Sequence, residues 1–130
     1  MRKLILAAAA AFALCSLPTI GEAQGLRAVH PLPGYSCMGL RGVNPSWSFA
    51  QLPRILDRPS ATEGKPVQLA SAIVFVKTPL HVVNGFAEVL LQNGHPGWLQ
   101  RAWLEPYHSA SDPHAHCTPS LMSNGKPGIG

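Results

Sequence analysis

Two histidines and a cysteine near the carboxyl-terminal end form the one cluster of metal-ligand residue types in the sequence. His114 and His116 are two residues apart, and Cys117 follows directly. Residues two apart on an extended segment face the same side, and imidazole suits zinc or copper. No second cluster with zinc-site spacing occurs. The pattern therefore has two interpretations, ordinary surface histidines or, as an alternative function, metal handling through His114 and His116.

The acidic and nucleophilic residues show no catalytic pattern. Glycosidases place two carboxylates together, whereas the acids after residue 23 stand singly in this sequence. A nucleophile needs a base and an orienting group, and no Gly-x-Ser-x-Gly motif is present. We therefore predict a protein that is not an enzyme and carries no cofactor. The acids concerned are Asp57, Glu63, Glu88, Glu105 and Asp112.

The first 23 residues have the pattern of a cleavable secretory signal peptide. Arg2 and Lys3 precede an apolar run over 4–17, and small residues precede a cleavage site after Ala23. The apolar run has 14 residues, whereas a membrane-spanning helix needs about 20. We predict a periplasmic or secreted protein with no membrane span after cleavage.

Two cysteines, Cys37 and Cys117, remain after the predicted cleavage. An even pair in an oxidising compartment predicts a disulfide. The basic residues that remain exceed the acidic ones by three and are dispersed, with no two of them adjacent. Nucleic-acid binding is therefore not expected, because no basic stripe interleaved with aromatic residues is present.

The sequence after the leader divides into three segments by composition. Residues 24–53 are rich in Pro and Gly without a sustained period, which predicts an irregular arm. Residues 54–108 alternate short apolar runs with turn signals, which is typical of a small barrel or sandwich. Residues 109–130 form a tail that is predicted to lie on the surface, tied down at Cys117.

Two Asn-Gly pairs mark turns in the middle segment. Asn93-Gly94 lies between two apolar runs, and this pair is the strongest short signal for a tight hairpin turn, in which both central residues have positive φ. Asn84-Gly85 is predicted to be the turn that enters the long central strand. No stretch of ten residues has helical periodicity, so we predict minimal helix.

Residues 54–107 resemble bacterial SH3 domains. The similarity rests on an aromatic-led strand from Phe86, the turn at Asn93-Gly94, the pair Gly97-Trp98 and the later Leu104. The start of the first strand departs from the family pattern, and the arm and tail are additions to it. The resemblance implies an all-β fold, a small SH3-like barrel of five or six strands with an irregular amino-terminal arm and a disulfide-tethered carboxyl-terminal tail.

The resemblance also implies where a ligand would bind. SH3-like barrels commonly bind peptides along exposed aromatic residues, and Trp98, Trp103 and Tyr107 are the ligand-binding candidates here. Trp98 has a second interpretation, because the family uses an aromatic at that position to pack the barrel. The predicted function is an exported, non-catalytic binding module for cell-wall (peptidoglycan) peptide or an envelope protein partner, and a purely structural accessory protein is a further alternative.

Overall fold

The protein is described here by a computed structural model that covers residues 25–44, 46–109 and 111–130, so the predicted signal peptide lies outside the described residues. The chain is all-β, as predicted, with 42% strand and 6% helix. Helix in these ranges is limited to two 3-10 turns, Phe49–Gln51 and Arg101–Trp103. The strands are β1 (Ala28–Pro31), β2 (Tyr35–Leu40), β3 (Arg54–Leu56), β4 (Pro66–Leu69), β5 (Ile73–Lys77), β6 (Val82–Val83), β7 (Phe86–Leu90), β8 (Pro96–Gln100), β9 (Leu104–Pro106), β10 (Pro119–Met122) and β11 (Pro127–Ile129).

Eight strands form the main antiparallel sheet, in the order β4-β3-β8-β7-β5-β2-β9, and β6 pairs with β7 beside this path. Successive side chains of a strand point to opposite faces, and one face of this sheet encloses the apolar core. Val76, Val89 and Leu99 reach this core from β5, β7 and β8, and each is at most 1% exposed. The core cluster is Leu40, Ile55, Ala70, Val74, Val76, Ala87, Val89, Leu91, Leu99 and Leu104.

A second, three-stranded sheet joins the two ends of the described chain, in the order β1-β10-β11. The predicted disulfide is confirmed: Cys37 and Cys117 are bonded, with their Cα atoms 6.1 Å apart. Cys37 lies in β2 opposite Phe75 of β5, and Cys117 stands two residues before β10. The disulfide therefore ties the small sheet to the interior of the main sheet.

The expected small SH3-like barrel of five or six strands is wrong. The chain has more than six strands, and its sheets do not close into a barrel. The segment 24–53, predicted to be irregular, contributes β1 and β2, and β2 lies between β5 and β9. The physical reason is that Met38 and Leu40 alternate toward the core, while Pro33 and Gly34 occupy only the short turn between β1 and β2.

The two Asn-Gly pairs form different turns. Asn84 and Gly85 both have positive φ, at 52° and 82°, and they join Val83 directly to its partner Phe86. At the second pair Gly94 has a φ of 86°, and a longer loop connects β7 to β8. The predicted β7–β8 hairpin is confirmed, but the tight two-residue turn lies at residues 84–85.

Candidate binding surface

The face of the main sheet that points away from the core is here called the outer face, and it is defined by Phe75 and Lys77 on β5, Glu88 and Leu90 on β7, and Trp98 on β8. Phe75 stands opposite Leu90, and Glu88 stands opposite Trp98. Residues directly opposite each other in antiparallel strands share a face and lie close together. These five side chains therefore form one continuous surface across three central strands.

One end of the outer face is an apolar groove of about 420 Å³. Phe75 and Leu90 line it from the main sheet, and residues of β11, here called its wall, line it from the small sheet. Ile129 on this wall is 47% exposed. The groove contains no charged side chain. It is lined by Ile55, Gln68, Ser71, Ala72, Ile73, Val74, Phe75, Leu90, Leu91, Gln92, Pro127, Gly128 and Ile129.

The polar part of the outer face, here called the polar stripe, consists of Tyr35, Lys77, His81, Glu88 and Trp98. Tyr35 stands opposite Lys77, and the Lys77 Nζ lies 3.7 Å from Glu88 Oε2. The other carboxylate oxygen, Oε1, lies 2.9 Å from His81 Nδ1. The His81 ring meets the Trp98 ring edge-on, with 5.5 Å between centroids. An acid, two nitrogen bases and two aromatic rings thus stand in one row.

The β6–β7 hairpin positions His81 against Glu88. The backbone N–H of Glu88 donates to the carbonyl of His81 at 2.9 Å, and the Asn84 side chain donates to the Pro59 carbonyl at 3.0 Å. The contact between His81 and Glu88 is not among the predictions from the sequence. A two-residue turn at Asn84-Gly85 places residues 81 and 88 opposite each other. Predicting the tight turn at Asn84-Gly85 would therefore have predicted the contact between His81 and Glu88.

The two parts of the outer face adjoin each other and differ in chemistry. Lys77 and Glu88 are each two residues from a groove residue on the same strand, which is about 7 Å along that strand. The groove can bury an apolar side chain of a ligand, because its lining is mostly apolar and contains no charged residue. The polar stripe can hydrogen-bond polar groups beside it. Together they suit a ligand with an apolar anchor and a polar continuation.

The three aromatic candidates from the sequence are placed in different surroundings. Trp98 is half-buried on the outer face, opposite Glu88. Trp103 packs against the core cluster, and Tyr107 is half-buried after β9. The structure therefore places Trp98 on the outer face and Trp103 against the core.

The metal-ligand candidates lie on the segment before β10. His114 and His116 are both exposed, and Cys117 is consumed by the disulfide. Across residues 25–44, 46–109 and 111–130, no group of three His, Cys, Asp or Glu side chains is arranged to hold a metal ion. The backbone N–H of His114 donates to an Asp112 side-chain oxygen at 2.9 Å, which closes a local turn.

No family model, no curated protein and no solved structure matches this chain. In the part of the chain that is described, no helix has the length and apolar character needed to cross a membrane.

Proposed function

We propose that this protein is an exported, non-catalytic binding module that holds a peptide segment of an envelope protein partner on its outer face. An apolar side chain of that segment enters the apolar groove, and its polar continuation passes the polar stripe. The single observation that carries this proposal is the apolar groove, whose lining contains no charged residue. Largely apolar concave sites with a few polar groups are typical of ligand-binding sites.

The lining also distinguishes between the two expected ligand classes. Cell-wall peptides carry carboxylates and amines, and burying such groups without partners is costly. An apolar segment of a protein has no such cost in this groove. Two glutamines, Gln68 and Gln92, supply polar groups at its border. The envelope protein partner is therefore the favoured ligand, and cell-wall peptide is the alternative.

The disulfide supports the exported role, and the predicted resemblance to bacterial SH3 domains favours a binding role. A disulfide between Cys37 and Cys117 is consistent with an oxidising compartment such as the periplasm or the medium. Bacterial SH3 domains are binding modules, so the similarity over residues 54–107 favours recognition over catalysis. The resemblance itself stays a prediction.

Photo-crosslinking in the intact envelope tests this proposal. Ile129 on the groove wall and Val67 outside the groove are matched positions, at 47% and 48% exposed. With a photoreactive benzoylphenylalanine at either site, we expect a discrete protein adduct from position 129 and none from position 67. Equal adducts from both positions, or none from position 129, would contradict the proposal.

Competition with purified mature protein measures how strongly each variant binds the partner. The Ile129→Asp variant is expected to compete for the adduct at least about tenfold less well than the wild type, because it forces a carboxylate against an apolar ligand. The matched Val67→Asp variant should compete as the wild type does. Pelleting of the mature protein with purified peptidoglycan at low salt, without a protein adduct, would replace the envelope partner by the cell-wall alternative.

A further inference from the structure

A second groove lies where β9 ends the main sheet, and it shares no lining residue with the apolar groove. Its volume is about 620 Å³. Apolar side chains form most of its lining, and Leu80 among them is 44% exposed. We call it the arginine groove after its two guanidinium groups. It is lined by Met38, Leu80, Ala102, Leu104, Pro106, Arg41, Arg101 and Glu105.

Arg101 is the first residue of the 3-10 turn that precedes β9, and a backbone contact holds Arg41 beside the same turn. The backbone N–H of Arg41 donates to the Trp103 carbonyl at 2.7 Å, and the backbone N–H of Arg101 donates to the Gly85 carbonyl at 2.9 Å. The Arg41 side chain is fixed as well, since Nη2 donates to the Leu104 carbonyl at 3.0 Å. A guanidinium has five N–H donors, so Arg41 keeps donors for a further acceptor.

The arginine groove carries a surplus of positive charge, because its lining contains two arginines and one acid, Glu105. Among the described residues, neither Arg41 nor Arg101 takes part in a salt bridge. Glu105 Oε2 lies 3.7 Å from Nε2 of the exposed His108. The excess positive charge beside apolar side chains therefore favours a ligand with an anionic head.

The uncharged part of the lining favours an alkyl chain over a peptide as the ligand. A bound peptide brings backbone N–H and C=O groups that need partners. Apart from its charged residues, the arginine groove contains no side-chain amide or hydroxyl group. Met38, Leu80 and Leu104 instead offer flexible apolar contacts, which suit methylene groups. The volume lies within the roughly 300 to 1,000 Å³ that is usual for small-molecule sites.

We infer that the arginine groove binds a fatty acid, with its carboxylate on Arg41 and Arg101 and its alkyl chain along Met38, Leu80 and Leu104. A planar guanidinium pairs with a carboxylate through two parallel hydrogen bonds, and the chain leaves water for an apolar surface. This site is independent of the proposed peptide-binding role, because the two grooves have no residue in common.

Calorimetric titration of the mature protein with dodecanoate, below its micelle concentration, tests the inference. We expect one dodecanoate per chain. Dodecyl maltoside lacks the charge, dodecyltrimethylammonium reverses it, and acetate lacks the alkyl chain, so each is expected to bind at least about tenfold more weakly. Equal binding of dodecyltrimethylammonium or of acetate would overturn the inference, as would failure of dodecanoate to bind.

Variants of the groove residues test where the carboxylate of dodecanoate binds. Arg101→Gln is expected to weaken dodecanoate binding by roughly tenfold to a hundredfold, as for the loss of a charge-assisted hydrogen bond. Arg54→Gln is the matched control, because Arg54 is exposed on β3 outside both grooves. Leu80→Asp should also weaken dodecanoate binding, because it places a carboxylate beside the alkyl chain. Equal affinities of Arg101→Gln and Arg54→Gln would overturn the assignment.

Discussion

Replacing Cys37 and Cys117 together by serine is expected to lower the free energy of unfolding by about 4 kcal/mol. The bond joins residues 80 apart in sequence, so its removal frees a long loop in the unfolded chain. The bond joins the segment before β10 to β2, which lies inside the main sheet. Without the bond, β10 and β11 remain attached to the main sheet through the chain segment that follows β9 and through noncovalent contacts.

Urea unfolding of the oxidised wild type and of the double serine variant measures this difference. A reductant should shift the midpoint of the wild type toward that of the variant, and it should leave the variant unchanged. A difference in the free energy of unfolding below about 1 kcal/mol would contradict the prediction, because the unfolded chain would then gain little conformational freedom when the bond is absent.

Leu99→Ala is expected to lower the free energy of unfolding by about 3 kcal/mol. Leu99 is 0% exposed and lies opposite Ala87 on β7, at the centre of the core face. Truncation removes buried methyl groups and leaves a cavity, because neighbouring strands are fixed by their hydrogen bonds and relax only in part.

Val67→Ala is the matched control for the cavity. Val67 is 48% exposed on an edge strand, so its truncation is expected to change stability by less than about 0.5 kcal/mol. Equal effects of the two substitutions in chemical or thermal unfolding would contradict the assignment of Leu99 to the core.

The all-β class and the disulfide could be predicted from the sequence because both depend on local or simple signals. Alternating apolar residues identify strands such as β7, and the two cysteines after the predicted signal peptide allow one pairing. Barrel closure could not be predicted, because it depends on whether β4 and β9 meet, and these strands are far apart in the chain. The strand β2 was missed because the Pro and Gly residues around it suggested a loop.

The candidate binding surface was predictable only in part. Trp98 is a candidate only through the resemblance to bacterial SH3 domains, and the structure places it on the outer face. The contact between His81 and Glu88 follows from the turn at Asn84-Gly85 but required the correct choice between two Asn-Gly pairs. The apolar groove could not be predicted, because β11 is placed beside the main sheet by a separate sheet and by a disulfide between residues far apart in the chain.

The pairing of β1 with β10 has a consequence for how the molecule is made. Protein synthesis starts at the amino terminus, so β1 leaves the ribosome long before its neighbour in the small sheet exists. The main sheet can pair its strands first, and the groove wall is added at the end. A transcript truncated ahead of the codon for Cys117 would therefore yield every strand of the main sheet but neither the tether nor the groove.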